Sequence, residues 1–282
     1  MKNVLNTDLT GKVAVVTGAG GVLCSQFAAV LARAGAKVAL LDINEEAASA
    51  VAQAICEEGG TARAYRCDVL SAETCRQVAD QVQSDLGPCD ILINGAGGNN
   101  PRATTDKEYY FEGDLDAEVK SFFDLDADGV SFVFNLNFLG TLLPTQAFAR
   151  QMLGRPGCNI LNISSMNAFT PLTKIPAYSG AKAAISNFTQ WLAVHFSKAG
   201  IRVNAIAPGF FVTKQNEKLL FDDDGNPTPR TGKILAATPM GRFGKAEELS
   251  GAVLFLLNNE AASFITGVVL PIDGGFSAYS GV

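Results

Sequence analysis

A tyrosine and a lysine stand four residues apart in the segment YSGAK, Tyr178 to Lys182. Residues at positions i and i+4 of a helix share one face, so the two polar groups are expected to lie close together. A free tyrosine has a pKa of about 10, too high for a base at neutral pH, but a nearby positive charge favours the phenolate, so the pKa of Tyr178 should fall. Ser165, thirteen residues earlier, can hydrogen-bond a reacting oxygen as charge develops on it. The set predicts proton transfer at an alcohol or carbonyl oxygen, whereas the Tyr–Lys pair alone also fits a solvated helix face.

A glycine-rich stretch near the amino end, TGAGGVLCS at 17–25, predicts a dinucleotide loop. It follows the apolar run VAVV and precedes a segment with helical spacing, so backbone amides and the helix dipole would face a pyrophosphate. The usual loop spacings place glycine where this chain has Val22 and Cys24. We expect both residues in the first helical turn, with amides of residues 20–23 near a phosphate.

Asp42 ends the next apolar run, 24 residues after Gly18. An acid at this place accepts hydrogen bonds from the adenosine ribose hydroxyls and repels a 2′-phosphate, which favours NAD over NADP. The alternative is that Asp42 only caps the helix that follows it.

Apolar runs alternate with helical stretches along the chain, and these elements must position the polar groups. Because the strands are apolar on both faces, the sequence predicts a Rossmann-type α/β fold, a doubly wound seven-stranded parallel sheet with helices on both faces. No linker or repeat interrupts the pattern, so residues 1–282 are expected to form a single domain. Strands are expected at 13–16, 38–41, 62–66, 90–94, 159–164, 202–208 and 268–273, and helices at 22–34, 45–58, 72–85, 130–152, 177–198 and 246–257.

Two segments, 98–130 and 209–243, interrupt this alternation after strand ends. Ligands of an open α/β sheet bind at the carboxyl ends of its strands, so these insertions are expected to wall a substrate site. A plain surface excursion is the alternative for each.

Charge and composition argue against several classes of partner. A net charge of −6 without a basic tract makes a nucleic acid an unexpected partner. The start lacks the apolar core of a signal peptide, and no stretch approaches the ~18 apolar residues of a membrane helix. The six cysteines form no C-x-x-C pair and there is one histidine, so neither a metal site nor a disulfide framework is expected. Reduced thiols in a cytoplasmic protein fit better.

In its motifs and their order the chain resembles the short-chain dehydrogenase/reductase family over nearly its full length. The matching motifs are TGAGG at 17–21, Asp42, CDV at 67–69, NGAG at 94–97, Asn137 in NFLGT, NISS at 162–165, YSGAK, RVNAIAPG at 202–209, Thr213 and DGG at 273–275. The resemblance implies hydride transfer between a CH–OH group and a nicotinamide, a sheet ordered 3-2-1-4-5-6-7 and a homotetramer.

The resemblance also assigns roles to individual residues. Tyr178 would be the acid/base, and Lys182 would lower its pKa and bind the nicotinamide ribose. Ser165 would orient the substrate oxygen, and Asn137 would help to hold a water that relays protons. Besides Tyr178 and Lys182, the residues expected to bind the cofactor are Gly18, Gly20, Gly21, Val22, Leu23, Asp42, Asp68, Val69, Asn94, Ala96, Gly97, Pro208, Gly209 and Thr213.

The loop sequences resemble one branch of this family, whose members interconvert D-mannonate and D-fructuronate with NAD. A sugar acid needs a cation for its carboxylate and hydrogen-bonding groups for its hydroxyls. Candidates for substrate contact, each also readable as a solvated or core side chain, are Asn99, Asn100, Arg102, Asn167, Lys174, Phe210, Lys214 and Arg230. The alternatives are other activities of the family, such as 3-oxoacyl carrier-protein reductase or gluconate 5-dehydrogenase. A further alternative, from another class of function, is an inactive dinucleotide-binding regulator.

Two further features invite a functional interpretation. The segment DLDADG, Asp124 to Gly129, begins like a calcium loop, but its twelfth position is Asn135 rather than glutamate. Acids at a helix amino end explain it. Cys24, close to the expected pyrophosphate, fits a packed thiol better than a redox sensor.

Overall fold

A computed structural model describes residues 6–213 and 220–281. It confirms the predicted fold, because seven parallel strands form one sheet in the order β3-β2-β1-β4-β5-β6-β7. The strands are β1 (Val13–Thr17), β2 (Lys37–Asp42), β3 (Thr61–Arg66), β4 (Ile91–Asn94), β5 (Asn159–Ile163), β6 (Arg202–Pro208) and β7 (Val269–Ile272).

Helices cover both faces of this sheet. In the described part of the chain they are α1 (Val22–Arg33), α2 (Glu45–Glu57), α3 (Ala72–Asp85), α4 (Ala127–Phe134), α5 (Gly140–Met152), α6 (Pro176–His195), α7 (Pro229–Ala236) and α8 (Ser250–Leu257). One apolar core, which includes Phe27 and Val253, lies between the sheet and α1, α2 and α8. The other, which includes Phe148 and Leu192, lies beneath α3, α5 and α6.

The strand order reverses between β1 and β4, and ligands of such sheets bind at this point. The loops that follow the two strands touch here. A Cβ at Gly18 would lie 2.9 Å from the Cα of Ala96, so only glycine fits. The fold therefore brings the glycine loop and the NGAG segment together at one crevice.

The helix expected over 130–152 is interrupted. Residues Asn135–Leu139 form a π-helical turn between α4 and α5, in which the amide of Gly140 donates to the carbonyl of Asn135. Such single π turns occur frequently at functional sites, and this one carries Asn137. The apolar spacing of the sequence contained no signal for this change of period.

The two insertions meet above the carboxyl ends of the strands. The amide of Thr105 donates to the carbonyl of Lys174, in the loop between β5 and α6, at 3.0 Å. Glu108 pairs with Lys233 of α7 at 2.8 Å, which joins the first insertion to the second. Within the described ranges, no helix is both long and apolar enough to cross a membrane.

Candidate active site

The turn from β1 into α1 has the geometry of a phosphate-binding loop. Gly18 has φ +66°, a left-handed conformation that suits glycine. The helix begins at Val22 after Gly21, which has no side chain to cap the first amides. Val22 and Cys24 thus lie in the first helical turn, as predicted, and free amides at a helix amino end suit a pyrophosphate.

Cys24 stands where the usual loop spacing has a glycine, and its side chain packs against Gly95. A Cβ at Gly95 would lie 2.2 Å from the Cys24 sulfur, so the thiol occupies space that a side chain at 95 would need. Burial raises the pKa of Cys24 to about 12, although the charge of Lys182 acts in the opposite direction. The protonated, buried thiol agrees with a packing role.

Asp42 lies at the end of β2, directly beside the glycine loop. Its Oδ2 accepts a hydrogen bond from the amide of Gly20 at 2.9 Å. The cap of α2 is Asn44, whose side chain accepts from the amide of Ala47 at 3.1 Å. The alternative that Asp42 caps this helix is therefore wrong, and contact of its carboxylate with an adenosine ribose stays a prediction.

The residues predicted to contact adenine and to line the groove follow β3 and β4. Asp68 follows β3, and its carboxylate accepts from the amide of Leu70 at 2.9 Å, while Val69 is buried. Thr17 Oγ1 accepts from the amides of Gly95 at 3.0 Å and Ala96 at 3.2 Å, which fixes the groove segment. The sequence analysis did not identify Thr17, because a strand-end threonine has no distinguishing pattern.

The fold brings Ser165 and Tyr178 close together. Ser165 follows β5 and Tyr178 lies in the first turn of α6, where the Ser165 hydroxyl acts to lower the pKa of Tyr178. Ser165 Oγ also accepts from the amide of Asn167 at 3.3 Å, which orients it. An alcohol or carbonyl oxygen can therefore meet both hydroxyls at once.

Lys182 and Asn137 both lie beside Gly97, where a Cβ would point. A Cβ at Gly97 would lie 2.6 Å from Asn137 Oδ1 and 3.2 Å from Lys182 Nζ, so glycine is required here. Lys182 Nζ donates to the carbonyl of Ile163 at 2.8 Å and lies 5.6 Å from the centre of the Tyr178 ring. Asn137 Nδ2 donates to the carbonyls of Gly98 and Val133, both at 2.8 Å. Its buried Oδ1 has no partner among the described residues, so this oxygen is available to a water.

The pKa values of Tyr178 and Lys182 are both shifted by burial. Burial raises the pKa of Tyr178 above its usual value, and the Ser165 hydroxyl only partly opposes this. Burial also lowers the pKa of Lys182 to about 8. Desolvation of the phenolate therefore dominates in the protein alone, and the fall in the pKa of Tyr178 beside both the ammonium and an oxidised nicotinamide stays a prediction. A cationic nicotinamide favours the phenolate only when the cofactor is bound.

The residues predicted to flank the nicotinamide lie where β6 meets β7. Pro208 ends β6, and a Cβ at Gly209 would lie 2.6 Å from Asp273, which explains the glycine. Phe210 packs edge-on against Phe276 with ring centres 5.4 Å apart. Thr213 is the last described residue of this stretch, and the predicted Lys214 lies outside the described residues.

Three of the residues predicted to contact the substrate form hydrogen bonds or ion pairs within the first insertion. Asn99 donates to Thr104 at 3.0 Å, and Asn100 accepts from the amide of Arg102 at 2.9 Å. The Arg102 guanidinium pairs with Asp126 at 2.6 Å. Their side chains stabilise the loop, and contact with a substrate stays a prediction for all three.

Other candidates lie closer to the catalytic groups or to the junction of the insertions. Asn167 is buried beside Ser165, and its Oδ1 has no partner within the part of the chain that the structure describes. Lys174 donates to the carbonyl of Asp106 at 2.6 Å. Arg230 lies in the first turn of α7, where its charge acts on Glu108.

The acidic segment before α4 serves as a helix cap. Asp126 Oδ1 accepts from the amide of Gly129 at 2.6 Å, at the first turn of α4. The described residues contain no cluster of His, Cys, Asp or Glu arranged to hold a metal ion. Capping is thus the structural role of this acid.

Known proteins resemble this chain along its whole length. A family model described as short chain dehydrogenase matches residues 12–223. A protein of Haemophilus influenzae described as an uncharacterized oxidoreductase is 63% identical over 282 residues, covering 100% of this chain and 99% of that protein. The uncharacterized oxidoreductase UxuB of Bacillus subtilis is 51% identical over 278 residues, 99% of each protein. A Haemophilus crystal structure with bound NAD, provisionally described as a D-mannonate oxidoreductase, is 63% identical, covers 100% of both chains and has a TM-score of 0.95.

Proposed function

The chain belongs to the short-chain dehydrogenase family, and on this premise we propose that it interconverts D-mannonate and D-fructuronate with NAD. The observation that carries the proposal is the assembled group of Ser165, Tyr178 and Lys182 beside the glycine loop. The loop similarity to the D-mannonate branch and the NAD bound to the similar Haemophilus protein support the substrate and the cofactor.

The residues of the groove fit a dinucleotide. The uncapped amino end of α1 suits the pyrophosphate, and Asp42 suits an unphosphorylated ribose. Gly18 and Gly97 leave a floor that a single Cβ would obstruct. When bound, NAD supplies the acceptor for a hydride from the substrate carbon. An inactive regulator would not need the tetrad that lines this groove.

The side chains account for the proton that accompanies the hydride. In the oxidation, the Tyr178 phenolate accepts the proton of the substrate hydroxyl, while Ser165 donates a hydrogen bond to the same oxygen. The positive charge of Lys182 stabilises the phenolate before this step. After it, the proton now on Tyr178 leaves by way of Lys182 to a water held by Asn137 Oδ1, which restores the phenolate. In the reduction, Tyr178 returns the proton to the new alkoxide.

A cluster of cations at the junction of the insertions supports an anionic substrate. Glu108 is surrounded by Lys233, Lys174 and Arg230, and the hydrogen bond from Lys233 together with these charges holds its pKa below the usual value. Three cations around one carboxylate leave net positive charge beside the loop that leads to Tyr178. A sugar carboxylate can bind there, with Arg230 as its partner.

The test is to follow NADH formation by the purified protein with D-mannonate, D-gluconate and a neutral polyol. We expect turnover of D-mannonate with NAD and much less with NADP. Good turnover of D-gluconate or the polyol, with no turnover of D-mannonate, would overturn the proposed substrate. A preference for NADP would overturn the proposed role of Asp42.

The proposal includes a cytoplasmic homotetramer. All six cysteines are free thiols, which suits a reducing compartment. Trp191 and Val194 of α6 and Phe132 of α4 are exposed apolar side chains that a second subunit would cover. Light scattering on the purified protein tests the oligomeric state, and a stable monomer would contradict it.

A further inference from the structure

A buried chain of amide and hydroxyl groups lies beneath the tetrad. Its centre is Asn94, at the end of β4, whose Nδ2 donates both to Asn162 Oδ1 in β5 and to Thr145 Oγ1 in α5, each at 2.9 Å. Asn162 Nδ2 in turn donates to Thr189 Oγ1 of α6 at 2.9 Å. None of these side chains is more than 3% exposed. The chain therefore joins two strands to the two helices that flank the site.

One arm of this chain ends on the π turn that carries Asn137. Thr145 Oγ1 donates to the carbonyl of Thr141 at 2.7 Å. Thr141 Oγ1 donates to the carbonyl of Asn137 at 2.9 Å. The backbone of Asn137 is thus connected to β4 through hydroxyl groups, at the point where the helix leaves its regular period.

The other arm ends on the helix that carries Tyr178 and Lys182. Thr189 Oγ1 donates to the carbonyl of Ile185 at 2.8 Å, one turn after Lys182. A parallel contact strengthens this arm, because Ser164 Oγ donates to the carbonyl of Lys182 at 3.1 Å and lies 2.7 Å from Ser186 Oγ. Both contacts fix α6 against the strand that precedes Ser165.

The hydrogen-bond directions in the chain are mutually dependent. Thr189 and Thr145 each accept from an amide and donate to a carbonyl one helical turn earlier. If one hydroxyl turned or were removed, a buried amide proton would lose its acceptor, which is costly in a protein interior. This series of hydrogen bonds therefore holds α5 and α6 in one arrangement relative to the sheet.

We propose that Asn162 and Thr189 are positioning residues that set the separation between Lys182 and Asn137. Asn137 Oδ1 and Lys182 Nζ both lie within 3.2 Å of the place that a Cβ at Gly97 would take, and the proposed proton relay requires them to share a water. Misplacement of a reacting group by ~1 Å costs about a hundredfold in rate, so small shifts of α6 have large effects. The inference rests on the oxidoreductase mechanism proposed above, but not on the identity of the substrate.

The first test compares Thr189→Val with Thr189→Ser, using whichever substrate gives turnover. Valine keeps the volume of threonine but removes the acceptor for Asn162. We expect kcat to fall about tenfold to a hundredfold. The KM for NAD should stay within about twofold, and the alkaline limb of the kcat–pH profile should shift because Lys182 is displaced. Serine keeps the hydroxyl, so Thr189→Ser should restore most of the activity and the original profile.

A matched pair of asparagine variants separates positioning from general stability. Asn162 and Asn204 are both buried, on neighbouring strands, but Asn204 bonds to the carbonyl of Ile265 and the amide of Val268, away from the tetrad. Asn162→Ala and Asn204→Ala should both lower the free energy of unfolding. Only Asn162→Ala should lower kcat and change the pH profile.

Each result decides between the alternatives. If folded Thr189→Val keeps kcat within about twofold of the wild type while Tyr178→Phe is inactive, the positioning role is overturned and the mechanism stands. If Tyr178→Phe itself retains activity, the proposed mechanism fails instead. Should Thr189→Val not fold, Thr145→Val breaks the other arm and is expected to reduce kcat in the same way.

Discussion

The floor of the active site and the insertions above it are built in contrasting ways. On the floor, Lys182, Asn137 and Asn162 are almost completely buried, and their positions follow from hydrogen bonds to strands and helices. In the insertions, the charged groups are largely exposed and pair with acids of the insertions themselves, as Arg102 does with Asp126 and Lys233 with Glu108.

This difference separates chemistry from specificity. A buried polar group cannot be changed without leaving its partner unpaired, so the floor allows few substitutions. An exposed ion pair contributes little to stability, typically ~0–1 kcal/mol, so the insertions can vary and redefine which substrate fits. Four experiments test this contrast.

The largest effect is expected from Tyr178→Phe, which removes the acid/base from the floor. We expect kcat to fall by about 10²–10⁴-fold. NAD binding, measured by calorimetry, should change little. Retention of a substantial fraction of turnover would show that another group transfers the proton.

Lys182→Met tests the electrostatics of the floor through stability. The folded pKa of Lys182 is about 8, below the ordinary lysine value of 10.5, so between these values the unfolded chain holds a proton that the folded protein lacks. The free energy of unfolding of the wild type should therefore rise with pH in this window, by at most ~1.4 kcal/mol per pH unit. Urea unfolding at several pH values should show this rise to be absent in Lys182→Met. Equal slopes in both proteins would mean that the lysine is not desolvated.

Gly18→Ala tests the floor of the cofactor groove. The new Cβ would meet Ala96 at 2.9 Å in a backbone with φ +66°, so we expect NAD affinity to fall about tenfold or more, with a loss of stability of ~1–3 kcal/mol. Gly59→Ala is the matched control, because Gly59 also has positive φ, +84°, but nothing within 4 Å. A similar loss of NAD affinity in both variants would contradict a specific role for Gly18.

The smallest effect is expected in the insertions, where Arg230→Ala and Arg102→Ala form a pair. If Arg230 binds the substrate carboxylate, its loss should raise the KM for D-mannonate about tenfold and leave kcat nearly unchanged. Arg102 is paired with Asp126, so its loss should alter KM less. Equal increases in KM in the two variants would mean that the substrate carboxylate binds elsewhere.

The elements of the fold followed closely from the pattern of apolar residues. Strand β6 lies over Arg202–Pro208 as predicted, and α1 begins at Val22 despite the missing glycines. The π turn at Asn135–Leu139 and helix α7 were not predicted. The π turn replaces part of a regular helix without any change in the spacing of apolar residues. Helix α7 lies in a polar insertion whose sequence is rich in turn residues.

The sequence by itself determined the alternation of strands and helices and the place of the glycine loop, while its resemblance to short-chain dehydrogenases implied the order of the sheet and the catalytic tetrad. Short-range periodicity encodes the alternation and the loop, since both depend on residues that are neighbours in the chain. Only the tertiary structure showed that Cys24 packs against Gly95, that Asn44 caps α2 in place of Asp42, and that burial raises the pKa of Tyr178. It also showed the series of buried hydrogen bonds that runs from Asn94 through Asn162 to Thr189. These features depend on contacts between distant segments and on the exclusion of water, which no local pattern records.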